Sequence, residues 1–232
     1  VVDAHGEEQC ADSAAILARD GQVDALMKGD IHSDALLRGV LKKEHALRTA
    51  RHISHVFYMN VPGSDRALCI TDAVMNVAPG VEHRVEIARN VVELLHALGN
   101  PEPKVAVLSA VETVSQAIPS SVDAREIVLQ SQAISGAVFA GPLAFDVAVS
   151  PAAARLKHLE GPLKGDADVI LVPNIETGNA LFKMMVHFMS ATAAGIVLGA
   201  KVPVMLTSRG DSVASRLASA AVTAIYAKHG AH

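Results

Sequence analysis

Short runs of aliphatic and β-branched residues alternate with longer stretches of helical periodicity along nearly the whole chain. Cys10 to Arg19 carries Ala11, Ala14, Ala15, Leu17 and Ala18 at helical spacing and is closed by Asp20-Gly21. Val23 to Met27 reads as a buried strand, after which Ser33 is placed to cap a helix with Leu36, Leu37, Val40 and Leu41 on one side. Ile53 to Val61 and Ala67 to Thr71 read as strands joined by the turn Pro62-Gly63-Ser64-Asp65, which predicts a hairpin. Val81 to Leu98 is a long amphipathic helix stopped by Gly99-Asn100-Pro101. The remainder reads as strand Val105 to Leu108, a helix around Val122 to Ala133, strand Ala137 to Ala140 and a short helix near Pro151 to Lys157. Strand Val169 to Val172, a helix from Asn179 to Met189, and strands Gly195 to Leu198 and Val204 to Leu206 follow. A last helix runs from Ser212 to Lys228.

Continuous apolar strands spaced by helices predict an α/β fold with mostly parallel sheets flanked by helices. In such sheets ligands gather beyond the carboxyl ends of the strands. The segments in that position are Lys28 to Ser33, Thr71 to Ala73, Gly141 to Ala144, Pro173 to Asn179 and Thr207 to Ser212. They are dense in polar residues for so apolar a chain.

Composition narrows the picture. Half of the 232 residues are hydrophobic and only 3 % are aromatic, so the core is built from small aliphatic side chains. Few aromatics disfavour stacking of single-stranded nucleic acid. A net charge of -4 without a basic cluster leaves no footprint for a nucleic-acid backbone. No apolar run reaches the ~18 residues of a membrane span, and no signal peptide is read at the N-terminus. Cys10 and Cys69 stand far apart, outside any C-x-x-C pattern, which fits a reducing compartment.

Several signals of chemistry are missing or misleading. There is no G-x-G-x-x-G after a strand, no phosphate-binding G-x-x-x-x-G-K-[ST] and no G-x-S-x-G. Eleven histidines invite a metal reading, but the closest pair, His52 and His55, would point to opposite faces if both lay on the predicted strand, being three residues apart. Arg209-Gly210-Asp211 spells an adhesion tripeptide by chance. Cys69 lies inside a strand and reads as packed rather than nucleophilic.

At and around the strand-end loops the sequence falls into a series of short blocks. They are Leu26-Met27-Lys28-Gly29 with His32-Ser33-Asp34-Ala35-Leu36-Leu37-Arg38, Leu47-Arg48-Thr49 with Ser54-His55-Val56, and Thr71-Asp72-Ala73 with Asn76 and Pro79. Lys104 to Val114, Gly141 to Asp146, Gly165 to Asp168, Val172 to Glu176 with Gly178-Asn179, and Leu206-Thr207-Ser208-Arg209 with Asp211-Ser212 complete the series. In their order and spacing, over about residues 23 to 220, they resemble phosphate acetyl/butyryltransferases. The wording is nearest the butyryltransferase-like branch, which includes the phosphate-acyltransferase half of fusions whose other half resembles an enoyl-CoA hydratase.

The resemblance implies two α/β domains in the isocitrate-dehydrogenase-like architecture. Residues 1–50 with 210–232 form the first and 51–209 the second, with one or two further strand–helix units ahead of Val1. It implies a cytoplasmic homodimer that uses coenzyme A, acyl phosphate and inorganic phosphate as substrates, with no cofactor and no metal. The reaction is acyl-CoA plus phosphate giving acyl phosphate plus CoA. A thiol must lose its proton, an oxyanion needs donors, and phosphate needs a planar cation.

Arg209 is the first candidate for the phosphate clamp, and Ser208 for a donor to the oxyanion or thiol. Ser208 also suits a helix cap. Asp211, three residues on, reads equally as base or cap. The acetyltransferase branch carries a carboxylate where this chain has Ser215, so a dedicated base is in doubt. Lys28, His32 and Ser33 surround the start of a helix, a natural anion seat. Arg38 matches an Arg that the family uses for phosphate or CoA, or else lies on a solvated face. Asp72, Asn76, Asn174, Glu176, Asn179 and Lys183 are further substrate contacts. Competing readings are an isocitrate-dehydrogenase-like dehydrogenase, an acyl-carrier-protein:phosphate transacylase, and an inactive CoA-binding or dimerisation module.

Overall fold

The computed structural model describes residues 1–207 and 210–230. In chain order its elements are α1 (Gly6–Arg19), β1 (Leu26–Met27), α2 (Ser33–Leu41), β2 (Ser54–Asn60), β3 (Leu68–Thr71), α3 (Val81–Ala97), β4 (Lys104–Leu108) and α4 (Pro119–Gln130). Then come β5 (Val138–Leu143), α5 (Phe145–Val149), α6 (Pro151–Leu156), β6 (Val169–Leu171), α7 (Ile175–Phe188), β7 (Thr192–Leu198), β8 (Val204–Met205) and α8 (Val213–Gly230). Strands and helices alternate as the hydrophobic pattern predicts.

Contacts divide the chain into two compact units, Val1–Ile53 with Ala194–His232, and Ser54–Ala193. The boundaries fall after Ile53 and Ala193, whereas the sequence suggested residues 50 and 209. In the first unit β8 pairs in parallel with β1, Leu26 opposite Val204 and Met27 opposite Met205. It pairs antiparallel with β7, Ile196 opposite Met205. The strand expected over Val23 to Met27 shrinks to two residues, because only Leu26 and Met27 find partners on β8. α1 packs on α2, and Lys42 ties them by donating to Glu8 and Asp12 at 3.1 and 2.6 Å.

In the second unit the strand order is β2-β3-β6-β4-β5. The hairpin expected between β2 and β3 is present, Val56 opposite Thr71 and Met59 opposite Leu68. Every other pairing in this unit is parallel. Both faces are covered, which explains why β4 and β6 are almost wholly buried and read as unbroken apolar runs. One face is filled by Phe57, Met59, Ile70, Leu108, Ile170 and Met185. There the Phe57 ring stacks on Phe182 of α7 with centroids 3.7 Å apart. α3 buries Val85, Ile87, Ala88, Val91 and Leu94.

This unit holds a part-buried guanidinium and a buried one. Arg66 donates Nη2 to the carbonyls of Val149 and Gly165, both at 2.9 Å, and Nη1 to that of Ala167 at 3.3 Å. It thereby pins the loop before β6, with no carboxylate partner among the described residues. Arg84 of α3 is 1 % exposed, with Nη1 4.0 Å from the carboxylate of Asp123 on α4. Burial lowers its pKa to about 10, and Asp123 opposes that shift.

Candidate active site

The first unit gathers three of the expected residues, Lys28, His32 and Ser33, in the segment that follows β1. Lys28 is buried there, and its Nζ donates to the carbonyls of Gly29 and Ile31 at 3.3 and 3.0 Å. An ammonium has three donors, so one remains beyond this pair. The loop it braces runs into α2, whose first residue is Ser33. The N-cap position falls to His32, with no side-chain cap bond, so the cap expected of Ser33 is not made. The backbone N–H of His32 donates to the Glu7 carboxylate at 3.1 Å, and the ring Nδ1 lies 2.8 Å from the same oxygen. A carboxylate of the chain itself therefore stands at this helix start, on the positive end of the dipole.

Arg38 is exposed and borders a pocket of about 240 Å³ together with Glu7, Glu8 and Asp12. The pocket's three carboxylates outnumber its two cations, Arg38 and Lys42, which makes it a poor phosphate seat. Ser208 and Arg209 lie outside the described residues. Thr207 immediately before them is buried. Asp211 lies just ahead of α8, and it is Ser212 that caps this helix, accepting from the Ser215 N–H at 3.1 Å. Ser215 is itself buried, and Ser219 Oγ donates to its carbonyl at 2.8 Å.

A second group assembles in the other unit, at the carboxyl ends of β3 and β6. Asp72 is 2 % exposed. One carboxylate oxygen accepts from the N–H groups of Val74 and Met75 at 2.8 and 3.0 Å. The other accepts from the His55 N–H at 3.0 Å and from Asn76 Nδ2 at 2.6 Å. Four donors occupy the carboxylate, so Asp72 shapes the turn from Thr71 to Asn76 and has little left for a ligand. That turn docks on α7. Ile175 N–H donates to the Val77 carbonyl at 2.9 Å, and Asn179 Nδ2 reaches the Ala73 carbonyl at 3.4 Å.

The sequence placed Pro173 to Asn179 in a loop, but α7 begins four residues earlier than expected, at Ile175. Asn174 caps it, accepting from the Thr177 N–H at 3.0 Å and its hydroxyl at 2.7 Å. Gly178 permits the contact, since a Cβ there would sit 2.8 Å from that of Ala73 and 3.0 Å from the Asp72 carbonyl. Glu176 and Lys183 are exposed on the same helix. Removing the hub should be costly. Asp72→Ala is expected to destabilise the protein by about 3 kcal/mol in urea unfolding, because several buried donors lose their acceptor. Asp72→Asn should cost less, since its amide keeps one acceptor oxygen.

Cys69 lies fully buried in β3, and burial pushes its thiol well above the usual range, so it is packed and not a nucleophile. Among the described residues, no group of three or more His, Cys, Asp or Glu side chains is placed to hold a metal ion. Likewise, none of their helices is long and apolar enough to cross a membrane. Sequence reasoning missed Glu7 and Thr177. Thr177 lies in the strand-end segment Pro173 to Asn179 but was not singled out there, and Glu7 meets His32 across 25 residues of chain.

An α/β chain with polar side chains collected at the carboxyl ends of its strands has the architecture in which a small ligand binds at those ends. Residues 7–224 match the phosphate acetyl/butaryl transferase family, and the chain belongs to it. It is 46% identical over 229 residues to the phosphate acetyltransferase of Rhizobium meliloti, covering 98% of this chain and 72% of that protein. To the probable phosphate butyryltransferase of Bacillus subtilis it is 40% identical, covering 96% of this chain and 75% of the other. The crystal structure of a branched-chain phosphotransacylase from Enterococcus faecalis superposes with a TM-score of 0.92 at 38% identity. That match covers 98% of this chain and 82% of the other.

Proposed function

We propose that this chain transfers a short acyl group reversibly between coenzyme A and inorganic phosphate. The observation that carries the reading is Lys28, a buried cation at the carboxyl end of β1, next in the sheet to the strand that leads through Thr207 to Ser208-Arg209. Family membership over residues 7–224 supplies the reaction class.

In the proposed mechanism Arg209 holds the phosphate through two parallel N–H donors, and Ser208 donates to the oxyanion that forms when the thiolate adds to the acyl carbonyl. Lys28 adds positive potential. Phosphate is a good leaving group, so the step needs no strong general acid. Asp211 is assigned the thiol proton, with the substrate phosphate as the second acceptor available in the site. Asn76, Asn174, Asn179, Glu176 and Lys183 are assigned to orienting the coenzyme A side of the reaction. Asp72 holds Asn76 in place for that task. His32, Ser33 and Arg38 remain secondary anion contacts, because Glu7 already occupies their surroundings. We assign the active form to a homodimer in the cytoplasm, with coenzyme A a substrate and no cofactor.

The test is thioester formation from acetyl or butyryl phosphate and CoA, followed by the loss of free CoA thiol. Turnover that a chelator does not reduce and that needs no nicotinamide cofactor is expected. A folded protein with no turnover on any acyl phosphate would instead favour a binding or dimerisation module.

A further inference from the structure

α7 carries apolar side chains on more sides than the structure covers. Its inward stripe holds Gly178, Phe182 and Met185, with the Phe182 ring stacked on Phe57 and Met185 only 3% exposed. A helix that turns its other side to solvent is normally polar there. Here that side carries Ala180, Met184 and Phe188 at four-residue spacing, all exposed, and Met189 follows at the helix's end. Phe188 is 87% exposed. Another exposed apolar residue, Val77, lies beside the first turn, where its carbonyl accepts from the Ile175 N–H at 2.9 Å.

Apolar surface of this kind marks a contact, and its chemistry bears on the partner. Phe and Met are enriched at the cores of protein interfaces. A stripe without charge at its centre suits a homodimer better than a partner that must also live free in water. The charges that flank it favour a second copy as well. Glu176 lies in the first turn of α7, while Lys183 and His187 lie toward its end, and all three are exposed. Two copies of α7 laid antiparallel across a twofold axis bring the acidic end of each toward the basic end of the other and oppose their dipoles.

We propose that the outer face of α7 seats a second copy of this chain, α7 against α7 around a twofold axis, with Met184 and Phe188 as the anchors. The proposal rests on the homodimer assigned above and gives that homodimer its surface. Few side chains are large here, which is the pattern of an interface held by a small number of anchors. Asn174 and Asn179 stand toward the start of the same helix, so a partner on Met184 and Phe188 also steadies the element that positions them.

The experiment reads molecular mass by light scattering along a dilution series, for the wild-type protein and for Phe188→Ala, Met184→Glu and Leu129→Ala. Wild type is expected at twice the mass of one chain. Phe188→Ala puts a good helix former at an exposed position, so the fold stays in place. It should raise the dimer dissociation constant by at least about tenfold, because a twofold contact loses the ring twice. Met184→Glu should raise it by about 100-fold or more, since it buries a carboxylate in the contact. Leu129→Ala, at an exposed apolar position of α4, should leave it unchanged. A wild-type protein that stays at the mass of one chain overturns the proposal together with the homodimer. A dimer that Phe188→Ala and Met184→Glu leave as tight as wild type, or that Leu129→Ala weakens equally, overturns the α7 surface alone. The measurement needs no turnover. A dimer broken by both α7 variants but inactive on every acyl phosphate supports the surface while the acyltransferase reading falls.

Discussion

Arg209→Ala is expected to lower acyl transfer by about two to three orders of magnitude while leaving the unfolding transition in place. Removing one donor aimed at developing charge typically has this effect, equivalent to about 3–4 kcal/mol in the transition state. The argument comes from position and chemistry. Arg209 follows the end of β8, where an open α/β sheet collects its ligands. Of the charged side chains in the Thr207 to Ser212 segment, it alone carries a fork of donors that matches two phosphate oxygens. Arg209→Lys keeps the charge and loses the fork, so it should recover part of the rate and little of the phosphate affinity. Steady-state kinetics with phosphate varied checks both, and a near wild-type rate in Arg209→Ala would remove the residue from the site.

Gly165→Ala should damage folding rather than catalysis. Gly165 has φ +82, and a Cβ on it would lie 2.2 Å from the carbonyl carbon of Ser150 and 2.4 Å from the nitrogen of Pro151. Those are backbone atoms at the start of α6, so no side chain can swing away. Left-handed backbone strain adds to the overlap. The expected loss is at least about 3 kcal/mol, read as a lower urea midpoint for the second unit. If the protein melts as wild type, this loop is more pliable than its contacts imply.

The fold was legible where hydrophobic runs were long. The hairpin of β2 and β3 was announced by β-branched runs around Pro62-Gly63. The helix α3 was found within a residue of its ends, because Val85, Ala88, Val92 and Leu95 keep strict spacing. α7 was cut short because Glu176, Thr177, Gly178 and Asn179 look like loop residues when their partners are unseen. Gly178 lies against Ala73, more than a hundred positions away. Asp72 shows the same limit. Its type and its place after a strand suggested a ligand contact, but three of its four donors are backbone N–H groups, which leave no mark in a sequence. At α2, charge and helix start together suggested an anion seat, and the chain's own Glu7 arrived there from a different element.

Arg66 has a consequence for behaviour in salt. Among the described residues its guanidinium is matched to neutral carbonyl oxygens and to no carboxylate, so added electrolyte has no ion pair there to screen. The Lys42 link between α1 and α2 works the other way, since both of its acceptors are carboxylates. Raising the ionic strength therefore loosens the helical corner of the first unit while the loop ahead of β6 keeps its grip.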